Sequence, residues 1–324
     1  MNARMWAVAA ALVMAVSAGL ESQQQGVQST ALPSPAGREP AWAFPVQAGT
    51  LPAEAAGPKT VPGSTKQYTP PQIDDLLNPP DWFPDEHKPG PGIVVKGRGG
   101  ALACGSCHLM SGLGHPESAD LTGYTADYIV QQMLDFKTGV RRDYARMNGI
   151  SKEVSDQESR EAAEWFASLP RQKWSRVVEA AMVPRTFVGQ GRMRFVDPKG
   201  GMEPIGNRVI TLPEDQDRAR LRDPKSGFVS YVPPGSLAKG KALVETGGGG
   251  KTIACAICHG GGMKGLANVP RLAGVHPIYI ARQLYLFKDG SRKGPDAPLM
   301  NLPVAQLSDD DILNISAYVG SLAP

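Results

Sequence analysis

One pentapeptide occurs twice and constrains everything around it: Cys104-Gly105-Ser106-Cys107-His108 and Cys255-Ala256-Ile257-Cys258-His259. Two cysteines three positions apart fall on one face of a helical turn, and the histidine directly after them projects beside that face. The pattern suits covalent haem attachment: both thiols bond to the vinyl groups of the macrocycle, and the imidazole gives an axial nitrogen to iron. Two other uses exist. The pairs together can form a four-cysteine zinc site, or one pair can act as a redox couple. Each pair carries its own histidine and no βαβ pattern surrounds either, so two haem c groups are the expectation. All four cysteines lie in these motifs, which leaves none for a disulfide framework.

The motifs open an internal repeat. Adding 151 to a residue number carries Cys104, Cys107 and His108 onto Cys255, Cys258 and His259, and Leu121, Tyr128, Gln132 and Phe136 onto Leu272, Tyr279, Gln283 and Phe287. Further on the offset becomes 153, which takes Met147 to Met300, Ser155 to Ser308 and Trp165 to Tyr318. Each copy reads as helical. Thr125 caps a helix running to Lys137, Pro277 suits the first turn of a helix running to Lys288, and Gly139 and Gly290 stop them. Ser155 with Glu158 and Ser308 with Asp311 are capping boxes for the closing helices.

Iron needs a second axial ligand. Met147 and Met300 stand at matching places, where a loop before the last helix can return a thioether to the haem. Met110 and Met263 follow their motifs too closely to cross over from the proximal side. His276 precedes a helix and reads as solvated or capping, His115 has no counterpart, and His87 can reach the first haem only if the N-terminal segment wraps. The carbonyl of Pro270, and that of Ala119 in the first copy, can accept the proximal imidazole N–H.

Outside the repeat, Met1 to Ala18 read as a secretory signal: Arg4, the apolar run from Met5 to Val16, then Val-Ser-Ala. An uncleaved anchor is the alternative. Residues 19–92 are rich in Pro, Gly, Ala and Gln and form a tether or wrapping segment, disordered over roughly the first 50 residues, with Trp42, Phe44, Trp82 and Phe83 lying on a folded surface. Between the copies, residues 175–235 carry strand-like runs at Val177 to Val188, Met193 to Val196 and Arg208 to Leu212. This insertion holds no His or Cys. A formal charge of +3 is too small to argue for nucleic acid or an anionic membrane.

The second copy, with CAICHGGG, VPRLAG, QLYLFKDGSR, Met300 and LSDDDILNISAYVGSL, resembles class I cytochrome c domains, and the whole chain is similar to the dihaem cytochromes of the c-four type. The match is good over 238–323 and weaker over 100–170. The first copy departs from it, because the helix at Ser236 to Glu245 has no counterpart before Cys104. The resemblance implies a mainly α fold of two tandem haem domains, 93–174 and 236–324, separated by the β-containing insertion. It implies His/Met ligation, His108 with Met147 and His259 with Met300, in a periplasmic protein that carries electrons between redox protein partners. Lys251, Lys264, Lys288, Arg292 and Lys293 could form a basic docking face near the second haem.

The alternative is a dihaem enzyme, a peroxidase or sulfur-compound oxidase with one open haem. The asymmetry of the first copy favours it. Against it stand a Met in both copies and the lack of a histidine placed with Arg141, Arg142 and Arg146. A cytochrome subunit of a dehydrogenase complex, or one associated with a membrane, keeps the carrier chemistry and changes the partner.

Overall fold

The computed structural model describes residues 40–143 and 145–324. The leader expected over 1–18, and 19–39 of the segment after it, lie outside the described residues.

In the second copy the helices Ser236–Thr246, Pro277–Lys288, Pro298–Ala305 and Asp309–Ser321 surround one apolar core. The last is started by its capping box: the Asp311 N–H donates to Ser308 Oγ at 3.2 Å while the Asp311 carboxylate accepts the Ser308 N–H at 3.0 Å. It then buries Ile312, Leu313, Ile315 and Val319, each worth roughly 1.5–3 kcal/mol in apolar surface removed from water. The first helix crosses it at Gly240, where a Cβ would collide with the Asn314 carbonyl oxygen and stand 2.7 Å from Tyr318 Cβ. Glycine alone permits that approach.

The first copy repeats the arrangement with Ala126–Thr138, Met147–Glu153 and Asp156–Ala167. Thr125 accepts the Tyr128 N–H at 3.1 Å, and Gly139, at φ 78°, ends the helix in the left-handed region. The helix missing before Cys104 survives as one turn, Gly92–Val95. Its place is the same: the Cys104 N–H donates to Ile93 O at 3.0 Å, as the Cys255 N–H donates to Val244 O at 2.9 Å, and adding 151 to 93 gives 244. Ile93 and Val94 fill the space against Trp165 and Phe166.

The N-terminal segment is a strap. Trp42, Ala43 and Phe44 are buried in the core of the second copy, with Trp42 and Phe44 at 6.4 and 6.1 Å from the ring of Tyr285, so disorder does not extend to residue 50 as expected. Val61, Ile73, Trp82 and Phe83 then pack on Leu221 of the insertion, and the Trp82 Nε1–H donates to Leu221 O at 2.8 Å. Near its end, Lys88 O accepts the Trp165 Nε1–H at 3.0 Å.

The insertion forms β1 (Ser175–Glu179), β2 (Met182–Pro184), β3 (Thr186–Val188), β4 (Arg194–Val196), β5 (Met202–Pro204), β6 (Ile210–Pro213) and β7 (Phe228–Val232). β7 lies between β1, parallel, with Ser175 facing Phe228, and β6, antiparallel, with Ile210 facing Tyr231. β2–β5 and β3–β4 are two-stranded ribbons. β7 and the short helix Gln216–Arg220, capped by Asp215, were not among the expected elements.

The two copies meet across a pseudo-two-fold axis whose contacts obey the offset of 151. The Arg142 N–H donates to Ser291 O at 2.9 Å and the Lys293 N–H to Val140 O at 2.8 Å. The Arg141 guanidinium donates to Gln132 at 2.7 Å, Gln283 at 2.9 Å and the Tyr279 hydroxyl at 3.1 Å; that of Arg292 donates to Gln132 at 2.9 Å, Gln283 at 3.1 Å and the Tyr128 hydroxyl at 2.9 Å. Each also covers its own copy's phenylalanine, Phe136 at 4.5 Å and Phe287 at 4.4 Å.

Candidate haem sites

Each motif forms a single helical turn, Gly105–His108 and Ala256–His259. The His108 Nδ1–H donates to Ala119 O at 2.8 Å and the His259 Nδ1–H to Pro270 O at 2.7 Å, as the sequence suggested. A carbonyl can only accept, so the proton sits on Nδ1 and Nε2 keeps its lone pair for a metal. Burial pushes both imidazoles below their ordinary value, which favours the neutral, ligating form.

Beside His108 lies a cavity of about 390 Å³, and Cys104, Cys107 and Met147 share its wall. Met147 is held there by its loop. The Asp143 carboxylate accepts the N–H groups of Ala145 at 3.0 Å and Met147 at 2.9 Å, and the Asn148 side-chain amide donates to Phe136 O at 2.7 Å and Arg141 O at 2.9 Å. Met147 begins a short helix where a loop was expected, and Met300 lies in the first turn of its counterpart, Pro298–Ala305. Met300 packs against the second core, and the Thr252 hydroxyl donates to Pro303 O at 2.7 Å, tying that helix to the stretch before the second motif.

These residues fit haem c. Leu121, Ile129, Met133 and Phe166 give the first cavity apolar walls, Arg142 and Arg146 supply cations for carboxylates, and both thiols and a histidine share one side of it. The zinc alternative fails on geometry: among the described residues no cluster of three His, Cys, Asp or Glu can hold a metal ion, so the two cysteine pairs do not meet. Burial pushes the Cys104 thiol up to about 12 and Cys255 up to about 11, which suppresses the thiolate that a redox couple needs.

The remaining histidines take other roles. His87 belongs to the strap: Nε2 is 3.2 Å from the Asp81 carboxylate, the Nδ1–H donates to Lys88 O at 2.9 Å, and the ring meets Trp165 edge-on at 5.4 Å. His115 lines the first cavity, but its Nδ1 accepts the Glu117 N–H at 3.3 Å and its Nε2 is 3.0 Å from Ser118 Oγ. His276 is not solvated as expected. It is 2% exposed, makes no side-chain cap bond, and packs on Phe228 at 5.2 Å. Met110 and Met263 are core residues.

Of the five cations expected to form a basic docking face, Lys251, Lys264, Lys288 and Lys293 are exposed and one is not. Arg292 is buried between the copies, the Lys288 ammonium donates to Leu307 O, and Lys251 pairs with Asp311 at 3.0 Å.

Sequence reasoning missed the structural roles of four arginines. Arg141 and Arg292 were discoverable, since the offset of 151 relates them directly. Arg222 of the insertion, which the repeat does not mark, donates to Ser106 O inside the first motif, and Arg271 makes a buried ion pair with Asp120, its counterpart at the same offset.

The cytochrome c family model matches residues 237–323. Cytochrome c4 of Pseudomonas aeruginosa is 28% identical over 235 residues, covering 71% of this chain and 89% of that protein. Cytochrome c-554(548) of Halomonas halodenitrificans is 45% identical over 69 residues, covering 21% of this chain and 82% of that protein. The thiosulfate dehydrogenase electron acceptor of Thiomonas intermedia is 26% identical over 226 residues, covering 68% of this chain and 79% of that protein. The chain belongs to the cytochrome c family, as a dihaem class I cytochrome and electron carrier similar to the cytochromes c4, with two c-type haems as its cofactors.

Proposed function

We propose that this chain is exported to the periplasm and passes electrons singly between redox proteins through two sites of like construction. Cys104 and Cys107 would hold the first haem by thioethers, with His108 and Met147 as axial ligands; Cys255 and Cys258 would hold the second, with His259 and Met300. The division into leader 1–18, strap 19–92, first haem domain 93–174, insertion 175–235 and second haem domain 236–324 belongs to this reading. The observation that carries it is the matched pair of Nδ1–H bonds from His108 and His259, which reserves one nitrogen of each ring for iron, with Met147 on the wall His108 shares. Bound there, haem iron supplies a one-electron couple with both axial positions filled.

The protein's own part is to hold geometry and control access. The Ala119 and Pro270 carbonyls orient the imidazoles, and the hydrogen-bonded loop around Asp143 fixes Met147. Access differs between the sites. Ile257, Leu266, Leu299 and Leu302 leave exposed apolar surface on and near the second motif, which suits a transient partner. A relative is named as the electron acceptor of thiosulfate dehydrogenase, and we take a dehydrogenase as the class of donor and another redox protein as the acceptor.

The enzyme reading has less support. His115 shares the first cavity wall with His108, but both its ring nitrogens are engaged within its own loop, so it forms no acid–base pair with the nearby arginines.

A spectroscopic redox titration with haem stoichiometry tests the proposal. Two covalent haems, both with a methionine-to-iron band, are expected. Met300→Ala should lower the potential of the second site and open it to small ligands with both haems attached, and Met147→Ala should do the same at the first. Unchanged potential and ligand binding would remove that methionine from the ligand set.

A further inference from the structure

A buried pair of opposite charges lies between the copies. Arg271 is 1% exposed and Asp120 3%, and they form an ion pair. Every guanidinium nitrogen and both carboxylate oxygens are engaged. The Arg271 Nε–H donates to Thr122 O at 2.7 Å and an NH1 hydrogen to Ala273 O at 2.8 Å, while Asp120 Oδ1 accepts the N–H of Thr122 at 2.8 Å and its hydroxyl at 2.7 Å. Complete pairing of this kind is what allows two charges to be buried at all.

The offset gives the pair its meaning. Adding 151 to 120 gives 271, so the two charges occupy one position of the repeat in opposite sign, and the residues just before them, Ala119 and Pro270, are those whose carbonyls orient His108 and His259. A continuous chain of bonds therefore runs from one imidazole through Ala119, Asp120, the ion pair, Arg271 and Pro270 to the other imidazole. A symmetric pair of separate subunits would place like charges together here. Fusion of the copies in one chain lets the position carry opposite signs.

We propose that Asp120 and Arg271 are positioning residues shared by the two haem sites: they fix the carbonyl that orients each proximal histidine, and they set the two reduction potentials apart by placing negative charge on the His108 side and positive charge on the His259 side. Negative charge favours the oxidised iron with its greater positive charge, and positive charge favours the reduced iron. Hydrogen bonding to an axial histidine acts on potential in the same way, through the electron density it leaves on the ligand.

This inference rests on the haem reading above, and the test separates the two. The full-length holoprotein is titrated site by site, by NMR of the axial methionine methyl groups, as wild type, as Asp120→Asn, and as the exchange Asp120→Arg with Arg271→Asp. Fewer than two covalent haems in the wild type overturns the haem reading itself. With two haems present, Asp120→Asn should raise the potential of the first site by about tenfold in its reduction equilibrium, near 59 mV for one electron, and move the second site less. The exchange should raise the first and lower the second. Asp120→Asn keeps an oxygen acceptor for Thr122, so it decides the question even where the exchanged protein does not assemble. Two haems with unchanged potentials in Asp120→Asn, or equal shifts at both sites, overturn the proposal; a purely structural pair would alter stability and leave potentials in place.

Discussion

Ser106 and Ile257 occupy the same position in two copies of one haem motif, yet Ser106 is 4% exposed and Ile257 69%. Around Ser106 the non-repeated parts of the chain close in. Arg222 of the insertion donates to its carbonyl, and the strap seats Trp82 against Leu221, the residue before Arg222. Around Ile257 they do not, and the neighbouring leucines Leu299 and Leu302 face solvent too. The repeat builds both motifs alike, and the segments outside the repeat cover one of them and leave the other exposed.

Removing the cover should have the largest effect. Trp82→Ala deletes a buried indole and its bond to Leu221, at about 3–5 kcal/mol. Proteolysis of the strap and ligand access to the first haem should rise, with the second site unchanged; equal exposure of both sites would break the comparison. A smaller loss should strike the other copy. Gly240→Ala forces apart the helices Ser236–Thr246 and Asp309–Ser321, at about 1–3 kcal/mol, and should lower the unfolding temperature of the second haem domain ahead of the first, which keeps a single turn at Gly92–Val95.

The third prediction concerns pH. His115 stands opposite Leu266 in the repeat and His276 opposite Thr125, so each copy holds one histidine that the other lacks. Burial pushes both down to about 3, from about 6.5 in an unfolded chain. Between those values the unfolded chain takes a proton that the folded one refuses, so this stability is complete above pH 6.5 and falls as pH drops toward 3. One unit below 6.5 the loss is about 1.4 kcal/mol per residue. Chemical denaturation at several pH values should show the slope, and His276→Thr should flatten the part due to the second copy. The smallest effect on stability belongs to Ile257→Ser, within about 0.5 kcal/mol at so exposed a position. It should instead slow electron exchange with a redox partner in stopped-flow mixing while leaving both potentials in place.

Much of this was legible in residue spacing. The capping boxes at Ser155 and Ser308, the helix from Pro277 to Lys288 and the carbonyls of Ala119 and Pro270 all follow from local chemistry and the repeat. The turn Gly92–Val95 was hidden because four residues carry too little periodicity to read. β7 is buried on most of its length between two partners and so shows no alternation.

The sequence by itself determined the cofactor and its number, because covalent haem attachment is bound to cysteines and a histidine at short, fixed spacing. Only the tertiary structure decided that the strap and insertion enclose one site, that Arg292 belongs to an interface and not to a docking face, and that Asp120 meets Arg271. Those outcomes depend on residues far apart in the chain being brought within bonding distance, where burial gives a charge or an indole an energy that its sequence neighbours do not disclose.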